Sequence, residues 1–109
     1  MSDIGTLAHA RPQHMEALEL ANRVRVARAD VKRKIAAGQT EVAHVIVSCP
    51  WMLETMSLGE LLTSQKRWGR SRAHKFLKSV GLRETKPLST LTERQRVTLA
   101  ALLSANRVS

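Results

Sequence analysis

Basic side chains crowd around one glycine in the second half of the chain. Five positive charges fall within the ten positions 66–75, and they belong to Lys66, Arg67, Arg70, Arg72 and Lys75. Gly69 lies among them, and a glycine in a turn can take a positive φ and let the backbone approach a ligand closely. Ser71 is suited to cap a helix that runs from this turn to about Val80.

A helix that begins at this turn would present a site for an anion. The first N–H groups of a helix have no partner inside it, and the helix dipole places partial positive charge at the same end. Helix ends of this kind bind phosphate groups. Apolar spacing predicts a packed helix face formed by Ala73, Phe76, Leu77 and Val80. We therefore predict contacts to a phosphodiester backbone, against the alternative of a plain helical corner, from Lys66, Arg67, Gly69, Arg70, Ser71, Arg72 and Lys75.

The overall charge agrees with a polyanionic partner. Eighteen Lys and Arg residues stand against nine Asp and Glu, which gives a formal net charge of +9. Such an excess attracts polyanions and steers encounters with them. No Lys or Arg occurs between Lys34 and Lys66, whereas residues 23–34 contain six and residues 66–86 contain eight. This separation into two blocks favours a nucleic-acid-binding surface over charge that serves solubility alone.

The elements that position these charges are predicted to be helices. From about residue 12 to 37, apolar residues recur every three or four positions, at Leu20, Val24, Ala27, Val31 and Ile35. A basic stripe beside them consists of Arg25, Arg28 and Lys32. Gly38 is placed to end this long helix, and residues 1–11 are expected to form a flexible lead-in.

A compact group of short helices is predicted from about residue 40 to 105. Thr40 and Ser57 are suitable N-caps, and Thr92 with Gln95 predicts a capping box for the last helix. Trp51 and Trp68 are interpreted as packing residues, as is usual for tryptophan in a small bundle. The predicted fold class is all-α, with a long basic N-terminal helix followed by a compact bundle in a single domain, 12–109.

Composition argues against several other classes of protein. The single Cys49 has no internal disulfide partner and fits a reducing compartment. No stretch approaches the roughly 20 apolar residues of a membrane span, and the N-terminus lacks the apolar run of a signal peptide. The four histidines show no metal-ligand spacing, and no phosphate-binding loop or nucleophile elbow is present. We therefore expect a cytoplasmic protein without metal, cofactor or enzymatic activity.

Four segments, taken in order, resemble one known family. They are RVARADVKRKIAAGQTEVAHVI, LETMSLGELL, RWGRSRAHKFL and LTERQRVTLAALL. From about Arg23 to Leu103, the sequence is similar to the actinobacterial (mycobacterial-type) integration host factor. The turn resembles the hairpin G-x-G-K-x-x-A that this family shares with the ribosomal small-subunit head protein and with helix-two-turns-helix DNA-repair enzymes. The ordered set of segments is more specific than the hairpin alone.

The resemblance implies a function as well as a fold. It implies a helix-two-turns-helix DNA-binding unit within the bundle. It further implies a nucleoid-associated protein that binds double-stranded DNA with low sequence specificity, and that bends or compacts it or assists phage integration. The residues from Gly69 to Ala73 match the family's phosphate-clasping hairpin, while Arg67 stands where some members have the first hairpin glycine.

Two further groups of contacts are implied by the same resemblance. The family's arginine cluster in the later loop falls on Lys86, Pro87 and Ser89. Only Lys86 is charged there, so a weaker contact is expected, with Arg83 just upstream as partial compensation. On the N-terminal helix, the implied backbone contacts are Arg25, Arg28 and Lys32.

The expected partner is therefore double-stranded DNA, bound by a nucleoid-associated protein that is a monomer in solution. An integrase or another nucleoprotein component is left open as a second partner. Two alternatives also stay open. One is an RNA-binding or ribosome-associated protein, because the small-subunit head protein uses a related unit on rRNA. The other is a protein-interaction accessory factor of recombination, whose basic face contacts an acidic partner.

Overall fold

Five α-helices make up most of the computed structural model, which describes the backbone of residues 2–108 and the side chains of residues 14–105. They are α1 Ser2–Ala36, α2 Val42–Ser48, α3 Leu58–Thr63, α4 Arg70–Ser79 and α5 Glu93–Val108. Two short 3-10 turns, Trp51–Leu53 and Leu88–Thr90, join them. Over the described backbone, extended pairing is limited to a single bridge between Ser57 and Pro87. The predicted all-α fold is confirmed.

The long first helix starts earlier than its sequence pattern predicts. It begins at Ser2 rather than at about residue 12, so the expected lead-in is helical from Ser2 onward. At the other end, Gly38 has a φ of +78°, and the N–H of Gln39 donates to the carbonyl of Lys34 at 2.8 Å. A glycine in this conformation is a common helix terminator, which confirms the predicted end of α1.

The core lies in the second two-thirds of the chain. Its fully buried side chains include Ile46, Met56, Leu58, Leu61, Leu62, Leu77, Leu88 and Leu99. Helix α2 packs against α5, and α3 packs against α4. The molecule measures 67 × 27 × 23 Å, because α1 extends well beyond this core.

The apolar stripe predicted on α1 is buried at one end only. Ile35 belongs to the core and Val31 packs against it, but Leu20 is 49% exposed. The first half of the stripe is therefore exposed, because no other element of the described globule reaches that part of the helix.

Helix caps follow the sequence at two of four predicted places. The Ser57 hydroxyl accepts a hydrogen bond from the N–H of Glu60 at 3.2 Å. The Thr92 and Gln95 side chains cap each other's N–H groups at 3.1 and 2.9 Å. Thr40 is not a cap, since Glu41 precedes α2, and α4 begins at Arg70 rather than after a Ser71 cap.

One tryptophan differs from its predicted packing role. Trp51 is 55% exposed, while Leu53 in the same 3-10 turn is buried. A single short turn offers one inward position, and the aliphatic side chain takes it.

None of the helices that the structure describes has both the length and the apolar content needed to cross a lipid bilayer.

Candidate nucleic-acid interface

Two consecutive turns connect α3 to α4 and shape the predicted phosphate site. The N–H groups of Ser64 and Gln65 donate to carbonyls in the last turn of α3, both at 3.2 Å, and the N–H of Trp68 donates to the carbonyl of Gln65 at 3.1 Å. The chain then enters α4 with Gly69 at the N-cap. The turn predicted at Gly69 is therefore present, and it ends before Arg70, the first residue of α4.

The residue with the unusual backbone in this turn is Arg67, not Gly69. Arg67 has a φ of +74°, whereas Gly69 has an ordinary φ of −86° and ψ of −180°. The expectation that Gly69 supplies a positive φ is therefore wrong. A non-glycine residue in the left-handed region costs about 1 kcal/mol. An arginine thus occupies the turn position at which glycine would be least strained.

We expect Arg67→Gly to stabilise the protein by about 1 kcal/mol, because it removes this backbone cost. If the turn contacts phosphate as the sequence predicts, the same change should weaken binding of a DNA duplex several-fold, since one cation is lost from the turn. Thermal unfolding and fluorescence anisotropy with a labelled duplex would measure the two effects. Arg67→Lys is the matched control, because it retains both the charge and the strain. A drop in melting temperature for Arg67→Gly would contradict the prediction.

The N-terminus of α4 is open to an external acceptor. No side chain caps it, and Gly69 contributes none. A Cβ built on Gly69 would meet no atom within 4 Å, so the space beside these N–H groups is empty of protein. The first N–H groups of a helix have no partner within the helix. A phosphate oxygen could therefore approach them directly.

Uncompensated positive charge surrounds this helix end. Five exposed basic side chains lie on the turn and on the first six residues of α4, and we call them the hairpin patch: Lys66, Arg67, Arg70, Arg72 and Lys75. None of them forms an ion pair with any residue whose side chain the structure describes. Ser71 is exposed in the first turn of α4. The structure thus brings together all seven residues predicted for this part of the site.

Trp68 orients one of these cations. The guanidinium carbon of Arg72 lies 4.3 Å from the centroid of the Trp68 ring, within the range of a cation–π interaction. The ring of Phe76 meets Trp68 edge to face at a centroid distance of 5.5 Å. Trp68 is half-buried and packs against the core, in agreement with its interpretation as a packing residue. It also holds Arg72 in a defined place at the mouth of the site.

The basic stripe on α1 is partly engaged inside the molecule. Arg28 donates a hydrogen bond to the hydroxyl of Thr55, and the Lys32 ammonium lies 2.5 Å from a carboxylate oxygen of Glu60. Both contacts join α1 to the globule. Arg25 is exposed and forms no ion pair with a described residue. Of the three predicted contacts on this helix, Arg25 is thus the one that makes neither a hydrogen bond nor an ion pair with a described side chain.

The next basic pair on α1 shares one carboxylate. Asp30 pairs with Arg33 and with Lys34. The hydrogen bond from Lys34, helped by the positive charge of both neighbours, lowers the pKa of Asp30 below its usual value. The carboxylate therefore stays ionised at neutral pH and cancels part of the charge at the end of α1.

The later loop is tied to the start of α3 by its backbone. The carbonyls of Lys86 and Glu84 accept from the N–H groups of Leu58 and Gly59 at 3.0 and 2.8 Å. A Cβ on Gly59 would lie 3.1 Å from the Glu84 carbonyl oxygen, so a glycine permits this close approach. Arg83 is exposed and Lys86 is half-buried. Arg83 and Lys86 therefore belong to a loop that is separate from the hairpin patch in sequence. Backbone hydrogen bonds fix this loop to the start of α3.

Sequence reasoning missed one pair beside the site. The His74 ring nitrogen Nδ1 contacts a carboxylate oxygen of Glu84, which links α4 to the loop. Nothing in the spacing of these residues signals the contact, because ten positions and an irregular loop separate them. His74 is exposed while making this contact.

The fold and this helix end define a small all-helical protein with an exposed cationic surface at the start of α4. A solved structure of sIHF bound to an 8 bp palindromic DNA has a similar fold, with a TM-score of 0.71 and 24% sequence identity. The match covers 78% of this chain and 98% of the sIHF chain. No protein-family model and no curated protein matches the chain.

Proposed function

We propose that the chain is a DNA-binding architectural protein that holds double-stranded DNA through its phosphate backbone with low sequence specificity. The observation that carries this proposal is the N-terminus of α4, which no side chain caps and around which five exposed cations form no ion pair with a described residue. The sIHF structure with a related fold was solved with duplex DNA, which supports DNA as the polyanion. The protein would act in the manner of an integration host factor, as the resemblance of its four segments implies.

Within this proposal, α3, the two turns and α4 form the helix-two-turns-helix unit. The phosphate is held by the first N–H groups of α4 and by the hairpin patch, with Ser71 as a further donor. Arg25, Arg83 and Lys86 extend the contact along the backbone. Arg28 and Lys32 would contact phosphate only after leaving their present partners, Thr55 and Glu60. The proposed role is nucleoid-associated and cytoplasmic, without enzymatic activity.

The geometry favours backbone contact over base recognition. The backbone N–H groups at a helix N-terminus donate to phosphate oxygens, and phosphates are the same whatever the base sequence. Specific reading of the major groove needs several side chains along a helix aimed at base edges. On α4, one side is packed through Ala73 and Leu77, and Arg72 is held by Trp68. Low sequence specificity follows from this arrangement.

A salt titration on unrelated duplexes tests the proposal. If the protein neutralises about six phosphates, log K should fall with log [salt] at a slope of about −5. Similar affinities are expected for duplexes of unrelated sequence. A nearly flat salt response would contradict phosphate-backbone binding, and a large preference for one duplex would indicate base recognition. Competition between a DNA duplex and structured RNA distinguishes DNA binding from the RNA-binding alternative. A DNA-binding protein should keep the duplex bound when structured RNA is added.

A further inference from the structure

The segment of α1 from residue 14 to 23 has no packing partner among the described residues. Every side chain from residue 14 to 23 is exposed, including Met15, Leu18 and Leu20 at about half or more of their area. Most of the stability of a protein helix comes from packing an apolar face rather than from helix propensity. An exposed helical segment of this length therefore offers a surface for another molecule.

That surface is a stripe of small and apolar residues bordered by a groove. Ala17, Leu20, Ala21 and Val24 lie at helical spacing and line the groove, which continues past Arg28 and Lys32 to Glu60 of α3. Two alanines in this stripe let a second helix approach closely. The groove thus has the shape expected for a helical occupant that lies along α1.

Charges beside the stripe indicate what that occupant is. Glu16 and Arg23 are seven residues apart, so they lie two helical turns apart on the same edge of the stripe. Both are exposed, and neither forms an ion pair with a described residue. In an antiparallel pair of identical helices, each Glu16 would lie beside Arg23 of the other copy. In a parallel pair, Glu16 would face Ala21 instead.

We propose that this stripe, Ala17, Leu20, Ala21 and Val24, binds the same stripe of a second copy of the chain as an antiparallel helix pair. Its twofold axis lies near Leu20, and symmetry forms the Glu16–Arg23 ion pair twice. DNA suits the stripe less well than a second copy does, because Glu16 and Glu19 would repel phosphate and the apolar residues would gain no partner. The proposed state in solution is therefore a dimer, whereas the sequence analysis expected a monomer.

Antiparallel pairing would separate two DNA-binding units. Each globule begins near Ile35, so the two would stand roughly 45 Å apart across the axis at the helical rise of 1.5 Å per residue. This consequence rests on the proposed function, and it predicts that one dimer can hold two duplex segments. The pairing itself does not depend on DNA and is tested without it.

Sedimentation equilibrium of the full-length protein, freed of nucleic acid, tests the pairing. We expect a concentration-dependent monomer–dimer equilibrium. Leu20→Lys should weaken dimerisation at least tenfold, because it places two ammonium groups near the axis. Val26→Lys is the matched control, since Val26 is exposed on the opposite side of the same helix, and it should leave the equilibrium unchanged. A monomer at all concentrations, or equal effects of both variants, would overturn the proposal.

A charge-exchange experiment tests the antiparallel register. Glu16→Arg alone and Arg23→Glu alone should each weaken dimerisation about three- to tenfold, because like charges then meet twice across the pair. The double variant Glu16→Arg/Arg23→Glu should restore it. Circular dichroism of each variant checks that α1 remains helical. Failure of the double variant to recover would overturn the register.

The two proposals fail independently. A wild-type protein that stays monomeric at all concentrations but binds single duplexes would overturn the helix pair and leave the DNA-binding function standing. A stable dimer that binds no duplex would overturn the proposed function and leave the helix pair standing.

Discussion

Replacing Gly69 by aspartate is expected to make the protein more stable and much weaker in DNA binding. The backbone of Gly69, with φ −86° and ψ −180°, is in the extended region typical of an N-cap. Aspartate is among the preferred N-cap residues, since its carboxylate accepts from the first N–H groups of the helix. A side chain at this position would meet no protein atom.

The two effects have opposite signs because they use the same N–H groups. The carboxylate interacts favourably with the positive end of the α4 dipole, so a gain of about 0.5–1 kcal/mol in the free energy of unfolding is expected. Once those N–H groups are occupied, an incoming phosphate loses its donors and meets a negative charge. We expect a fall in duplex affinity of about 30-fold or more.

Thermal unfolding and fluorescence anisotropy measure the two quantities on the same sample. Gly69→Asn is the matched control, because asparagine has the shape of aspartate and caps helices without a charge. It should give a similar rise in melting temperature and a smaller loss of affinity. If Gly69→Asp bound DNA as tightly as the wild type, the N-terminus of α4 would not be the phosphate site.

Local sequence signals predicted the start of α3 and of α5 because their caps are local chemistry. Ser57 and Glu60 are three residues apart, as are Thr92 and Gln95, so both partners of each cap lie within one helical turn. The same holds for the packed face of α4, where Ala73 and Leu77 are buried. Such features depend on neighbours in sequence and can be derived from it.

Features that depend on distant residues could not be predicted in this way. Arg28 meets Thr55 and Lys32 meets Glu60 only because α1 packs beside the 3-10 turn and α3. Sequence spacing marked both cations as part of a basic stripe, yet it contained nothing about their partners. The stripe on α1 likewise predicted an apolar face without stating which half of it the globule would cover.

The hairpin itself shows where an assumption about one residue type misleads. Gly69 was expected to have the positive φ because glycine adopts it most easily. The structure places that conformation at Arg67, where the second turn ends. A neighbouring glycine with an extended backbone instead leaves the helix N-terminus uncovered. The membership of the cationic site stays a prediction, while the expected conformation of its glycine was wrong.

The effect of charge reversal in the hairpin patch should exceed that of any equal change elsewhere. Arg70 and Lys75 are exposed on α4 and lack ion-pair partners among the described residues. The double variant Arg70→Glu/Lys75→Glu removes two attractive contacts and adds two repulsive ones. We expect duplex affinity to fall more than about 100-fold, and the log–log salt slope to become shallower by about 1.8, as two lost phosphate contacts require.

A control of equal charge separates the site from the overall field of the protein. Arg94→Glu changes an exposed arginine at the start of α5, so it tests the loss of net charge far from the hairpin in sequence. Each reversal lowers the long-range attraction for DNA by the same amount, whereas only the hairpin variants remove a contact. Arg70→Glu alone should therefore weaken binding well beyond Arg94→Glu, and about equally on duplexes of unrelated sequence. If the two single variants lost affinity equally, net charge would explain the binding and the helix end would have no special role. If the hairpin variant discriminated strongly among duplexes, Arg70 would be reading bases rather than holding phosphate.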